Sequence, residues 1–192
     1  IQSCGSGYNW WNREILEQDF NGADKDIDID HLGENPLIFY PHLVGDKNIY
    51  ADPDLRGAFL GLSTDTTRSD MTQAIMEGIA FGLKQLVEAM KLKKEKLLQL
   101  KAIGGGSKSR VWMQILADVL VEQVEGSAGA GYGMALLAAY SCGQITSLSE
   151  IANQSVSIKE RFEPRKYNAE LYAKKYKQYL RIHDAMKDIF AD

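Results

Sequence analysis

Residues 101–120, KAIGGGSKSRVWMQILADVL, constrain this chain more than any other stretch. A short apolar run enters three consecutive glycines, and a helical pattern follows after Ser107 and Ser109. Glycines carry no Cβ, so a ligand or another chain segment can approach the backbone closely. The following helix would aim unpaired N–H groups and its positive dipole end at the same spot. Strand, glycine turn and helix N-terminus together suit a nucleotide or phosphate. A tight strand-to-helix turn that binds nothing fits the local pattern equally well.

The rest of the chain supplies alternating strands and helices. Residues 4–7 (CGSG) read as a glycine turn before a short helix over 8–20, with Trp11, Ile15 and Leu16 on one face. Residues 21–36 read as a loop. Leu37 to Tyr40 is a short apolar run stopped by Pro41, which predicts a buried strand. Residues 56–63 predict a second strand, and Ser69 or Asp70 is the expected cap of a long helix from Met71 to Met90. Along that helix Met71, Ala74, Ile75, Gly78, Ile79, Gly82, Leu83, Leu86 and Met90 recur at helical spacing. Gly78 and Gly82 cost helix propensity there, which predicts close backbone packing.

A strand over 97–103 should enter the glycines. Trp112, Ile115, Leu116, Val119 and Leu120 line one face of the helix beyond them. A further strand is expected over 121–124, then a second glycine-rich turn over 126–133 and an alanine-rich helix over 134–140 ending at Gly143. Residues 144–166 read as loop and a polar extended stretch, with Pro164 near its end, and Asn168 as the cap of a final amphipathic helix to about Ile189. Its expected buried side is Leu171, Tyr172, Tyr176, Tyr179, Leu180, His183 and Met186. The alternation defines an α/β domain.

A formal net charge of −4 argues against a nucleic-acid-binding surface over the chain. The basic run Lys91 to Lys101 is interleaved with leucines and reads as the solvated end of a helix. No run approaches the ~18 apolar residues of a membrane span. Cys4 and Cys142 are far apart, in neither a metal-ligand nor a disulfide-framework pattern, which suits a reducing compartment.

Catalytic signatures are scarce. Asp26, Asp28 and Asp30 resemble the start of a calcium loop, but His31 stands at the glycine position and Leu37 at the glutamate position. The glycine triad is neither a P-loop nor a dinucleotide fingerprint. His31, His42 and His183 stand in no relay with a serine or cysteine, which leaves a hydrolase triad or a Cys4 or Cys142 acyl-transfer nucleophile unsupported. Asp118 reads as a cap or salt-bridge residue. The chain thus offers a candidate nucleotide cradle, while a general base and a metal site are not evident.

Five stretches taken in order resemble the C-terminal domain of the FGGY carbohydrate kinases. SGYNWWNREI (6–15) is similar to the family's glycine turn and Trp-x-Arg-Asp helix, and LIFYPHLVGDK (37–47) to its Leu-Pro-Tyr-Leu-x-Gly-Glu-Arg loop. In residues 57–78, Gly57, Phe59, Gly61, Leu62, Asp70, Ala74 and Glu77 reproduce its Gly-x-aromatic-x-Gly-Leu and Ala-x-x-Glu spacing. GGGSKSRVWMQILADVL (104–120) resembles the adenosine-binding turn and helix, and GAGYGMALLAAYSCG (129–143) the alanine-rich helix beyond it. Within the family, the wording of the glycine turn is nearest to xylulose kinases and related pentulose kinases.

The resemblance implies an actin-like ATPase (ribonuclease H-like) α/β fold. Residues 1–192 would be the C-terminal, nucleotide-binding half of a two-domain sugar kinase, with the sugar-binding and catalytic N-terminal domain outside this chain. It implies phosphorylation of a sugar, such as the ketopentose D-xylulose, by ATP and Mg2+ in the cytoplasm, and leaves room for a homodimer. Gly104, Gly105, Gly106 and Ser107 would lie along the adenosine and phosphates, with Ser109 near the adenine. Ser6, Gly7 and Trp10 would form the opposite wall. The family's Asp-x-Gly-Thr phosphate loop, its catalytic aspartate and its Thr-Gly-Thr hairpin are not in these residues, so the chain alone should be inactive. Leu120 and Gly129 also stand closer together than in the family pattern. Gluconate, ribulose or glycerol as acceptor, or a non-catalytic binding or regulatory protein on the same actin-like half-domain, are the alternatives.

Overall fold

The computed structural model of the chain describes residues 4–18, 22–90, 100–126, 137–144, 146–147 and 160–190. Helix α1 spans Cys4–Trp10 and widens into a π-helical turn, Trp11–Ile15. Residues 4–7 are therefore helical, not a glycine turn. Tertiary anchoring overrides the low propensity of Gly5 and Gly7. Tyr8 is buried against Trp112, and the Trp11 indole N–H donates to Thr72 Oγ1 at 2.9 Å. Leu16 is buried as expected, whereas Ile15 is 48% exposed.

Strand β1, Ile38–Tyr40, is wholly buried and pairs antiparallel with β2, Ala58–Leu60, with Phe39 opposite Phe59. Helix α2, Arg68–Ala89, crosses β1. Its cap is Thr67, not Ser69 or Asp70. Asp70 N–H donates to Thr67 Oγ1 at 3.1 Å and Thr67 N–H to Asp70 Oδ2 at 2.8 Å, so Asp70 is the return half of a capping box. Residues 72–82 are buried on every side, which makes α2 a central helix instead of an amphipathic surface one. Met90, expected on the apolar face, is 58% exposed beyond its end.

Strand β3, Leu100–Ala102, lies parallel to β4, Val124–Gly126, and β4 pairs antiparallel with β5, Glu160–Phe162. Helix α3, Arg110–Leu120, connects β3 to β4 and packs on α2. The strand expected over 121–124 begins only at Val124, because Val121 takes the left-handed conformation (φ 58°) that ends α3. Gln99 and the residues before it in the expected strand, and 127–136 of the second glycine turn and its helix, lie outside the described residues; 137–141 are helical and Gly143 follows at φ +72°.

Helix α4, Lys166–Leu180, starts after Arg165. Asn168 is inside it and buried, donating to Leu32 O at 2.6 Å. Asp118 of α3 does the anchoring instead: it accepts Arg165 N–H at 2.7 Å and the Arg165 guanidinium at 2.8 and 3.0 Å. That carboxylate also sits favourably at the positive end of α4. The helix breaks at Arg181, and α5, Ile182–Met186, follows. The break lays His183 on Tyr50, ring centroids 3.6 Å apart. Tyr172, Tyr176, Tyr179 and Ile182 enter the core, while Leu180 is 37% exposed. No helix among the described residues is long and apolar enough to cross a membrane.

His42 makes the fold acid-sensitive. It is buried between Tyr40 and Tyr50, with Asp46 Oδ1 3.7 Å from its Nδ1 and His183 nearby. Burial opposes the imidazolium more than Asp46 favours it, and the pKa falls from 6.5 to about 4. The unfolded chain takes up this proton first, so the contribution is complete above about pH 6.5 and lost as pH falls toward about 4. A difference of that size corresponds to about 3 kcal/mol. Burial works against the Asp46 carboxylate, but hydrogen bonds from Tyr50 and Ile49 N–H outweigh it and lower its pKa. Urea unfolding should therefore show falling stability between neutral pH and about pH 4.5, with a flatter profile in His42→Phe. Equal pH slopes in the two proteins would refute this assignment.

Candidate functional site

The residues after β3 form the turn the glycines predict, with its own internal bonding. Gly104 sits at φ +96°, a conformation that L side chains rarely adopt, and no atom lies within 4 Å of where its Cβ would stand. Gly105–Lys108 make one 3-10 turn. The Ser107 hydroxyl donates to Gly104 O at 2.8 Å, and Ser109 N–H to Gly106 O at 3.1 Å. Gly106 is a glycine for a packing reason: a Cβ there would lie 3.0 Å from Cε3 and Cζ3 of Trp112.

The N-terminus of α3 is less open than the sequence suggests. Ser109 Oγ accepts the Trp112 N–H at 3.1 Å and donates to the Asp24 carboxylate. The helix end is thus capped from within the chain, and Asp24 already supplies the negative charge that the dipole favours. The Ser109 hydroxyl is committed to these two partners. Close approach to the glycine backbone, more than a bare helix end, is what this turn offers a ligand.

A cavity of about 320 Å³ lies against Gly104, Gly105, Gly106 and Ser107, near the lower end of the ~300–1,000 Å³ usual for small-molecule sites. Trp112, Met113 and Leu116 of α3, Leu83 of α2, and Cys4 and Gly5 of α1 also line it. Ser6, Gly7 and Trp10 do not face it. They line a separate hollow of about 400 Å³ with Leu43 and Val44. The helical path of α1 explains the division. At 100° per residue, Cys4, Gly5 and Tyr8 share one side and Ser6, Gly7 and Trp10 the other. A turn could have aimed all of them one way. Trp112 and Leu116 were legible as part of one apolar face behind the glycines, whereas Met113 was not placed on that face and Leu83 comes from a distant helix.

The remaining titratable groups explain themselves as structure. Burial raises the Cys4 thiol above its ordinary pKa, which keeps it protonated and a poor nucleophile at neutral pH. Burial and nearby Asp24 push Tyr8 up to about 12. Exposed His31 is raised by its hydrogen bond to Glu34 at 3.1 Å. Asp28 accepts the Asp30 N–H at 3.0 Å in a tight turn, and among the described residues no three His, Cys, Asp or Glu side chains converge as a metal would require. Glu77 is paired with Lys175 inside the core.

A β-strand, a glycine turn, a helix and an apolar hollow beside the glycines define an α/β domain with a cavity laid against its glycine turn. Residues 4–142 match the FGGY family of carbohydrate kinases, C-terminal domain, and the chain belongs to that family. It is 30% identical over 194 residues to the xylulose kinase of Staphylococcus epidermidis, covering 99% of this chain and 39% of the relative. Against the xylulose kinase of Bacillus subtilis it is 30% identical over 191 residues, covering 97% and 38%. The crystal structure of ligand-bound xylulose kinase from Lactobacillus acidophilus is similar with a TM-score of 0.79 at 25% identity, covering 97% of this chain and 39% of that one. The chain thus spans about two fifths of the length of these relatives.

Proposed function

We propose that this chain is the nucleotide-side domain of an actin-like, ATP-dependent sugar kinase that phosphorylates a ketopentose such as D-xylulose in the cytoplasm. The observation that carries the reading is the apolar cavity laid directly against Gly104–Gly106, with open space where the Gly104 Cβ would be. Its volume suits a nucleoside, and its walls of Leu83, Trp112, Met113 and Leu116 suit the faces and edges of a base. The phosphates would then run along the glycine backbone, where no side chain blocks approach.

Phosphoryl transfer depends mainly on positioning and on charge stabilisation. In this reading the chain's part is positioning: it holds the adenosine and excludes water from one end of the donor. The wall residues described here include no carboxylate, so none of them would hold the magnesium ion or take the proton from the acceptor hydroxyl. Both tasks fall to groups outside this wall.

The test uses the complete polypeptide carrying this domain, with Mg-ATP and a panel of D-xylulose, D-ribulose, gluconate and glycerol. Turnover is expected with a ketopentose and not with residues 1–192 alone. Gly105→Val should raise the KM for ATP by about tenfold or more and leave that for the sugar unchanged, since it removes binding to the nucleotide only. ATP binding without turnover of any sugar would favour a non-catalytic role for the domain.

A further inference from the structure

We infer that Trp112 is a positioning residue of the nucleotide slot, its indole acting as the spacer that fixes the distance between the two walls; this rests on the kinase reading above. Trp112 is the first inward-facing residue of α3 and is 3% exposed. On one side, the Gly106 Cβ site lies 3.0 Å from its Cε3 and Cζ3, so the glycine turn packs directly against the ring. On another side, the Tyr8 ring meets it at a centroid distance of 4.9 Å and an angle of 47°. Tyr8 belongs to α1, whose Cys4 and Gly5 line the same cavity as the glycine turn. The indole thus touches both sides of the slot and lines the cavity between them.

The position of the ring is itself fixed from behind. Its backbone N–H is held by Ser109 Oγ, and Ser109 by Asp24. The indole Nε1–H has no acceptor among the described residues, so shape and not a hydrogen bond sets the ring's place. Losing the ring removes the floor under Gly106 and the lateral stop for α1 together. Enlarging Gly106 pushes the same ring from the other side. Residues 106 and 112 are therefore size-matched, and the mismatch should appear in nucleotide binding and not in sugar binding.

The experiment is steady-state kinetics of the complete enzyme with ATP and sugar varied separately, for Trp112→Leu, Trp112→Phe, Gly106→Ala and the Gly106→Ala/Trp112→Leu double variant. Trp112→Leu and Gly106→Ala are each expected to raise the KM for ATP about tenfold with the sugar KM unchanged, and Trp112→Phe, which keeps a ring, to stay within about threefold. Adding Gly106→Ala to Trp112→Leu should cost less than about threefold more, because the ring it would strike is gone. If Trp112→Leu fails to fold, Gly106→Ala and Trp112→Phe still carry the test. A purely structural role would lower the active fraction and leave both KM values unchanged; that result, parallel rises in both KM values, or additive effects in the double variant would overturn the inference. A working kinase with an ATP KM insensitive to these changes sinks this inference alone. A wild-type enzyme that neither binds nor consumes ATP sinks the kinase reading beneath it.

Discussion

Lys175→Met is expected to destabilise the domain by about 3–5 kcal/mol, the range for breaking one side of a buried ion pair. Lys175 is 5% exposed and Glu77 1% exposed. The ammonium lies 2.5 Å from Glu77 Oε2 and donates to Asn35 O at 2.5 Å. The other carboxylate oxygen accepts from Gln73 Nε2 at 2.7 Å and from the Tyr172 hydroxyl at 2.9 Å. Those two neutral donors remain after the substitution, but they cannot neutralise a carboxylate deprived of water and of its cation. Tyr172 offers no way out: burial, then the charge and hydrogen bond of Glu77, already hold its pKa well above the ordinary value. Chemical denaturation should show the loss as a shifted midpoint with unchanged slope. Glu77→Gln combined with Lys175→Met should recover much of it, since no charge is then stranded. A loss below about 1 kcal/mol in the single variant would mean that water reaches Glu77.

Gly78→Ala is expected to cost about 3 kcal/mol or more, at the upper end for overpacking a core. Helix propensity alone predicts the opposite sign, a gain of about 1 kcal/mol from removing a mid-helix glycine. Packing decides. A Cβ at residue 78 would lie 2.2 Å from Phe39 O, 3.1 Å from its carbonyl carbon and 3.3 Å from its Cβ. The first two are backbone atoms of β1, held in register by β2, so no rotamer change relieves the clash and α2 must lift off the sheet. Gly5→Ala is the control: it too lies in a helix, but nothing stands within 4 Å of its Cβ site. Thermal unfolding should separate the two variants in sign, and a neutral Gly78→Ala would refute the close approach.

These residues also show what could be read from sequence. The glycine interruption at Gly78 in an otherwise strong apolar pattern pointed to close backbone contact, and Phe39 O is the partner. The LIFY run announced β1 because four apolar residues before a proline leave few alternatives. β5 falls in the stretch that reads only as loop and polar extended chain, since just one of its three residues, Phe162, is buried and no apolar alternation marks it as a strand. The cap of α2 was misplaced by two or three residues within one local capping box, and that of α4 because its anchor comes from another element. Asn168 looked like a cap, but its side chain reaches Leu32 O, and the end of α4 is held by Asp118 across the fold. At the site, the triad and the face behind it were legible because glycines and i, i+4 spacing are local signals. The lining from α1 was not. Helix or turn at residues 4–7 decides which side chains face the cavity, and that choice is made by Tyr8 and Trp11 packing on distant residues.

Helix α1 is a partition between two compartments, with the glycine cavity on one side and the Trp10, Leu43 and Val44 hollow on the other. It is pinned at Tyr8 by Trp112, and the chain just beyond it is pinned to α2 through Trp11 and Thr72. A wall fastened at both places cannot yield volume from one chamber to the other. Occupants of the two chambers should therefore bind with little mutual linkage, each seeing the same room whether its neighbour is filled or empty.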